Sequence, residues 1–130
     1  MPSRILIVDD FEDARDLYAE YLRLRGFEVG CAADGESALH LALSASYDLI
    51  VLDLALPRMD GIAVLRALRG NPQTAKTPII ILSASVGNEP RDETLRAGAD
   101  LFLEKPCLPD ELEKAVLALL ADRGPAAKQA

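Results

Sequence analysis

The sequence predicts an α/β domain: an open, doubly wound parallel sheet with helices on both faces. Three observations carry this. Short aliphatic runs alternate with amphipathic stretches five times along the chain. The runs are almost continuously apolar, as in strands covered on both sides rather than wet on one. The chain has 130 residues, half of them hydrophobic, which is enough for one core and one domain. The right-handedness of βαβ crossovers then gives the open sandwich.

Residues 5–8 are aliphatic and closed by Asp9-Asp10, and β-branched Ile5, Ile7 and Val8 suit a buried strand. Over residues 12–25 the spacing becomes helical, with Ala14, Leu17, Tyr18, Tyr21 and Leu22 expected on the inner face and Gly26 at the C-cap. Residues 27–32 form a weaker strand, Asp34-Gly35 a turn, and residues 36–44 a second helix with Ala38, Leu41 and Ala42 inward. Residues 49–52 repeat the opening pattern and end at Asp53. A loop over 57–61 leads to a short helix over 62–68. Thr77-Pro78 precedes the strongest strand, 79–82, which ends at Ser83. A short helix spans 88–97, with Pro90 tolerated in its first turn and Gly98 ending it. A fifth strand, 101–103, leads to Glu104-Lys105. Pro109 opens a last helix over 110–120, with acids in its first turn and Leu112, Val116, Leu119 and Leu120 inward. The domain is expected over residues 1–122, with 123–130 a flexible tail or linker stub.

Composition excludes several classes. Fourteen basic and 21 acidic residues leave a net charge of -7, so the chain will not hold a nucleic-acid backbone by bulk charge. No apolar run reaches membrane-span length, and the start lacks a signal-peptide core. Two cysteines, Cys31 and Cys107, are too few for a disulfide framework or zinc cluster, and they read as small fillers. The single histidine, His40, reads as a surface or boundary residue rather than a phosphate carrier. A cytoplasmic domain is expected.

The chemistry gathers at the strand ends. A parallel sheet places all its carboxyl ends on one edge, where such folds put their sites. Asp9, Asp10, Asp53, Ser83 and Lys105 therefore converge. Mutual repulsion among three carboxylates calls for a cation. All-oxygen ligands in so small a number suit Mg2+, which keeps waters and shares its shell with phosphate oxygens. Carboxylate, hydroxyl and ammonium together form a place for a phosphoryl group on an aspartate nucleophile.

With these residues in place, the chain resembles the receiver domain of two-component response regulators. The matching motifs are Ile7-Val8-Asp9-Asp10, the stretch from Asp53 through Pro57 to Asp60-Gly61, Leu82-Ser83-Ala84, and Lys105-Pro106. The Asp-Asp-Phe start also resembles the stand-alone chemotaxis members. The resemblance implies a flavodoxin-like (βα)5 sandwich with strand order 2-1-3-4-5. It implies that Asp53 becomes an aspartyl phosphate, and that Asp9, Asp10, Asp53 and the Ala55 carbonyl hold Mg2+. Lys105 would pair with the phosphoryl oxygens, Ser83 would turn inward to bond them, and Phe102 would follow. A cis peptide at Lys105-Pro106 is part of the pattern. The donor would be a histidine kinase or histidine phosphotransfer protein. The output would be a downstream protein target or self-dimer through the fourth helix, fifth strand and fifth helix. The only catalysis expected is the domain's own phosphorylation and dephosphorylation.

Leu56, Ser83 and Phe102 stand where the family more often has Met, Thr and Tyr, and none of these changes removes a charged or hydroxyl group the chemistry needs. The alternative reading is a constitutive interaction module of the same fold. Taken singly, Asp9 and Asp10 could cap the first helix, and Asp60 reads as the cap of the third. Phe11 could staple the first helix or belong to a kinase-docking surface. Cys107 lies near enough to the site to be modifiable. Residues 85–90 are expected to be the most mobile part near it.

Overall fold

The computed structural model describes residues 2–57, 59–84 and 88–129. Five strands and five helices alternate: β1 (Arg4–Val8), α1 (Glu12–Leu24), β2 (Glu28–Ala32), α2 (Gly35–Ser44), β3 (Leu49–Leu52), α3 (Gly61–Arg69), β4 (Ile79–Ser83), α4 (Asn88–Arg96), β5 (Leu101–Glu104) and α5 (Pro109–Gln129). The strands are all parallel, in the order β2-β1-β3-β4-β5. The chain leaves β1 for one neighbour and later returns to its other side as β3. The crevice at the carboxyl end of that reversal lies between Asp9 and Asp53.

Alternation along the strands builds two cores. Leu6, Val8, Ile50, Leu52, Ile79 and Ile81 face α2 and α3, together with Phe102. Ile5, Ile7, Leu49, Val51, Ile80 and Leu82 face Tyr18 and Leu22 of α1 and Leu112 and Val116 of α5. Burying each large aliphatic chain contributes about 1.5–3 kcal/mol, which is why β1 after Arg4, and the whole of β3 and β4, carry no polar residue until the sheet's carboxyl edge. At the opposite edge, Arg69 joins α3 to the segments entering β4 and β5. Its guanidinium donates to the carbonyls of Gly98, Thr74, Ala75 and Thr77 and pairs with Asp100 at 2.9 Å.

Two helices carry side-chain caps: the Asp60 cap was expected, while Asp34, read as part of a turn, proves to be a cap as well. The Asp34 carboxylate caps α2 by accepting from the Ser37 amide, and the Asp60 carboxylate caps α3 by accepting from the Ile62 amide. Helix α1 differs. Its cap position is Phe11, which makes no side-chain cap bond and is 61% exposed. A staple needs a packed residue ahead of the cap, so Phe11 does not act as one. Leu17 was expected inward but is 53% exposed. It lies one residue, or about 100° of helical turn, from Tyr18, and the stripe on the sheet is Tyr18, Ala19 and Leu22. Helix α5 continues to Gln129, beyond its expected end at residue 120. The Gly124-Pro125 step, whose residues disfavour a helix, lies within it, so local propensity does not set this end. The expected mobility over 85–90 falls first on residues 85–87, outside the described residues.

Candidate functional site at the carboxyl edge of the sheet

Parallel register brings four loops to one edge. Asp9 follows β1 and is fixed by its amide donating to the Ala32 carbonyl. Asp53 follows β3, its amide donating to the Val8 carbonyl at 3.0 Å. Ser83 ends β4 and is almost fully buried. Its carbonyl accepts from the Lys105 amide at 2.8 Å, which places Lys105 beside the end of β4.

The side chains meet at the crevice. The Lys105 ammonium lies 2.7 Å from Asp9 Oδ2 and 3.1 Å from Asp53 Oδ2. Both carboxylates are buried, while Asp10 is exposed. Each carboxylate spends its second oxygen on a main-chain amide: Asp9 Oδ1 accepts from Phe11, and Asp53 Oδ1 accepts from Ala55 at 3.0 Å. Burial works against the charge on Lys105. The bond to Asp9 and the charges of Asp53 and Asp9 outweigh it, and its pKa lies above the ordinary value. The ammonium stands between two of the three acids and offsets part of their mutual repulsion. The argument for a metal therefore rests on the donor set. Asp9, Asp10 and Asp53 can each present one oxygen, with those atoms within 4.8 Å of one another. Such a cluster, open to water on the Asp10 side, fits a hard divalent cation that keeps part of its hydration.

The structure brings together Asp9, Asp10, Asp53 and Lys105, with the Ala55 amide donating to Asp53 and Ser83 tied to Lys105 through its carbonyl. The Lys105-Pro106 peptide is cis. Phe102 pairs in register with Ile81, two residues before Ser83, so Ser83 and Phe102 share the α3 face of the sheet. Phe102 is buried, and the Arg91 guanidinium of α4 lies over its ring at 5.4 Å. His40 is exposed. Cys107 is buried. Burial, with the Glu111 carboxylate beside it, pushes its thiol up to about 11, which fits the reading as a filler and works against the modification its position allows.

This set matches a known family over most of the chain. The model for the response regulator receiver domain matches residues 5–117. The chain belongs to this family. Similar proteins include the transcriptional regulatory protein SrrA of Staphylococcus aureus, 43% identical over 120 residues that cover 92% of this chain and 48% of that protein. The receiver thus spans about half the length of the curated relatives it matches. Among solved structures, the chemotaxis response regulator CheY4 of Vibrio cholerae is 34% identical with a TM-score of 0.87, covering 92% of this chain and all of that one. A receiver domain protein from Methanospirillum hungatei JF-1 is 27% identical with a TM-score of 0.91, covering 97% of this chain and 99% of that one.

The roles of three residues around the receiver's site do not show in the sequence, although two of them, Tyr18 and Gly61, stand in its helix pattern and its motif. Gly61 lies where an added Cβ would strike the main chain of Leu54 and the Asp53 carbonyl. The Arg15 guanidinium donates to the Asp9 carbonyl at 2.9 Å. The Tyr18 hydroxyl donates to the Cys107 carbonyl at 2.7 Å. Its phenol pKa is raised, first by burial and then by Cys107, so it remains a donor. Arg15 and Tyr18 are three residues apart and so share a helix face, a signal that was present in the sequence.

Proposed function

We propose that this receiver accepts a phosphoryl group on Asp53 from the phosphohistidine of a histidine kinase or a histidine phosphotransfer protein. The observation that carries the reading is the Lys105 ammonium between the buried carboxylates of Asp9 and Asp53. An Asp53 oxygen attacks phosphorus, the donor's N–P bond breaks, and its electron pair stays on the imidazole, which takes up a proton. Lys105 follows the new charge from Asp53 Oδ2 to the phosphoryl oxygens. Asp9, Asp10, Asp53 and the Ala55 carbonyl would hold Mg2+, which supplies neutralisation of charge on the transferring group. Ser83 gives a hydroxyl donor from β4, and Phe102 adjusts to its movement. The face of α4, β5 and α5 then changes and binds a downstream protein or a second copy. The domain works on no substrate beyond its own phosphoryl group, acts in the cytoplasm, and with its net charge of -7 contacts no nucleic acid directly.

The test is incubation with acetyl phosphate and Mg2+, followed by intact mass. The wild type gains one phosphoryl group and Asp53→Asn gains none. Equal gain in Asp53→Asn, or none in the wild type, refutes the reading. Amide NMR with beryllofluoride tests the output face. Shifts confined to α1 and α2 would exclude the route through Ser83 and Phe102.

A further inference from the structure

We infer that Tyr18 is a positioning residue for Lys105, acting through the Cys107 carbonyl. The inference rests on Asp53 being the phosphoryl acceptor. Lys105 is pinned on its upstream side by the sheet, where its amide donates to the Ser83 carbonyl at 2.8 Å. Two residues downstream, the Cys107 carbonyl accepts from the Tyr18 hydroxyl at 2.7 Å in a fully buried bond that spans 89 residues of sequence. Cys107 is 7% exposed and Tyr18 5% exposed, so water is poorly placed to replace the hydroxyl. One turn earlier on α1, Arg15 holds the Asp9 carbonyl at 2.9 Å. A single helix face thus grips the main chain just past β1 and just past β5. The side chains of those two segments, Asp9 and Lys105, meet at 2.7 Å. The second contact of Lys105, to Asp53, is longer at 3.1 Å and depends on the same loop staying in place. Loss of the hydroxyl frees the loop on one side of Lys105 and loosens its hold on both acids.

Tyr18→Phe removes the hydroxyl and leaves the ring in the core; Tyr18→Met is an independent deletion should the first disturb folding. Tyr21→Phe is the control, since Tyr21 lies on the same helix and its hydroxyl meets Glu113 at 3.3 Å, away from the site. Two readouts are taken at fixed pH: the NMR signals of the Lys105 side chain in the metal-free protein, and the phosphorylation rate with acetyl phosphate and Mg2+. Tyr18→Phe should shift the Lys105 signals and slow phosphorylation about threefold to tenfold, the range of one net hydrogen bond, and Tyr21→Phe should do neither. Unchanged Lys105 signals in Tyr18→Phe overturn the inference. So does a wild-type rate, or an equal effect from Tyr21→Phe. If the wild type takes no phosphoryl group, the functional reading fails, and the Lys105 signals alone decide whether Tyr18 positions this lysine.

Discussion

Gly61→Ala sets helix propensity against space, and the two predict opposite signs. Gly61 is the first residue of α3, where alanine is the better helix former by about 1 kcal/mol. Propensity alone makes the substitution stabilising. The new Cβ, however, would lie 2.5 Å from Leu54 Cα, 2.8 Å from the Leu54 oxygen and 2.9 Å from the Asp53 oxygen. These are main-chain atoms that cannot swing aside. Separation of the two segments also stretches the bond from the Gly61 amide to the Leu54 carbonyl, now 3.1 Å. Overpacking costs about 1–3 kcal/mol and a weakened hydrogen bond about 1 kcal/mol. After the propensity gain, a net loss of roughly 1–3 kcal/mol remains. The displaced atoms belong to the turn that holds Asp53, so this carboxylate moves relative to Lys105, and if it is the phosphoryl acceptor proposed above, phosphorylation should slow by about tenfold or more. The comparison variant is Gly26→Ala. Gly26 has φ +99° with nothing within 4 Å of the added Cβ, so only conformational strain of about 1–2 kcal/mol applies and the phosphorylation rate is unchanged. Urea unfolding gives the stabilities and intact mass the rates. A Gly61→Ala protein more stable than wild type, or phosphorylated at the wild-type rate, refutes the reasoning.

Asp10→Ala should remove most Mg2+ affinity while keeping the apo fold as stable or more so, because it deletes a ligand and relieves repulsion within the cluster; unchanged affinity by calorimetry would overturn the site. Cys107 should resist iodoacetamide at neutral pH in the folded protein, and labelling at the rate of the unfolded chain would contradict its burial. Its pKa rises from 9.0 unfolded to about 11 folded, so the folded state holds the proton more tightly. That contribution is full below pH 9.0 and lost as pH rises to about 11. Lys105 and Tyr18 shift in the same direction, so the thermal midpoint should fall on the alkaline side. Arg69→Ala should cost roughly 2–3 kcal/mol, since several charge-assisted bonds at the amino edge are lost together; a loss under about 0.5 kcal/mol in urea unfolding would show that those bonds are replaced by water.

The strands were legible because burial on both faces leaves a simple mark. Ile79 to Leu82 can be little else in a chain of this length, and its neighbours share the pattern. Helix ends were harder to read. The Gly124-Pro125 step has the composition of a break, yet local preference did not set the end of α5. Leu17 misled for a different reason. A helix resting on a sheet hides only a narrow stripe, and an apolar residue at its flank looks like core when only spacing is known.

The site divides along a similar line. Asp9, Asp10, Asp53 and Lys105 could be placed together because topology alone sends strand ends to one edge; each alone has an ordinary structural reading, a helix cap or a surface lysine, and only their convergence points to a site. The groups that hold them could not be placed that way. Tyr18 and Arg15 act through main-chain carbonyls of Cys107 and Asp9, and a carbonyl carries no signature in a sequence. Gly61 acts by having no side chain at all. The reading of the cation changed for the same reason. From sequence, Lys105 converges with the acids and a metal is the simplest source of the balancing charge; in the fold, part of that charge is Lys105 itself, held 2.7 Å from Asp9 by a loop anchored to α1 through Tyr18. What a metal would then have to offset is the charge the ammonium leaves uncompensated, chiefly that of exposed Asp10.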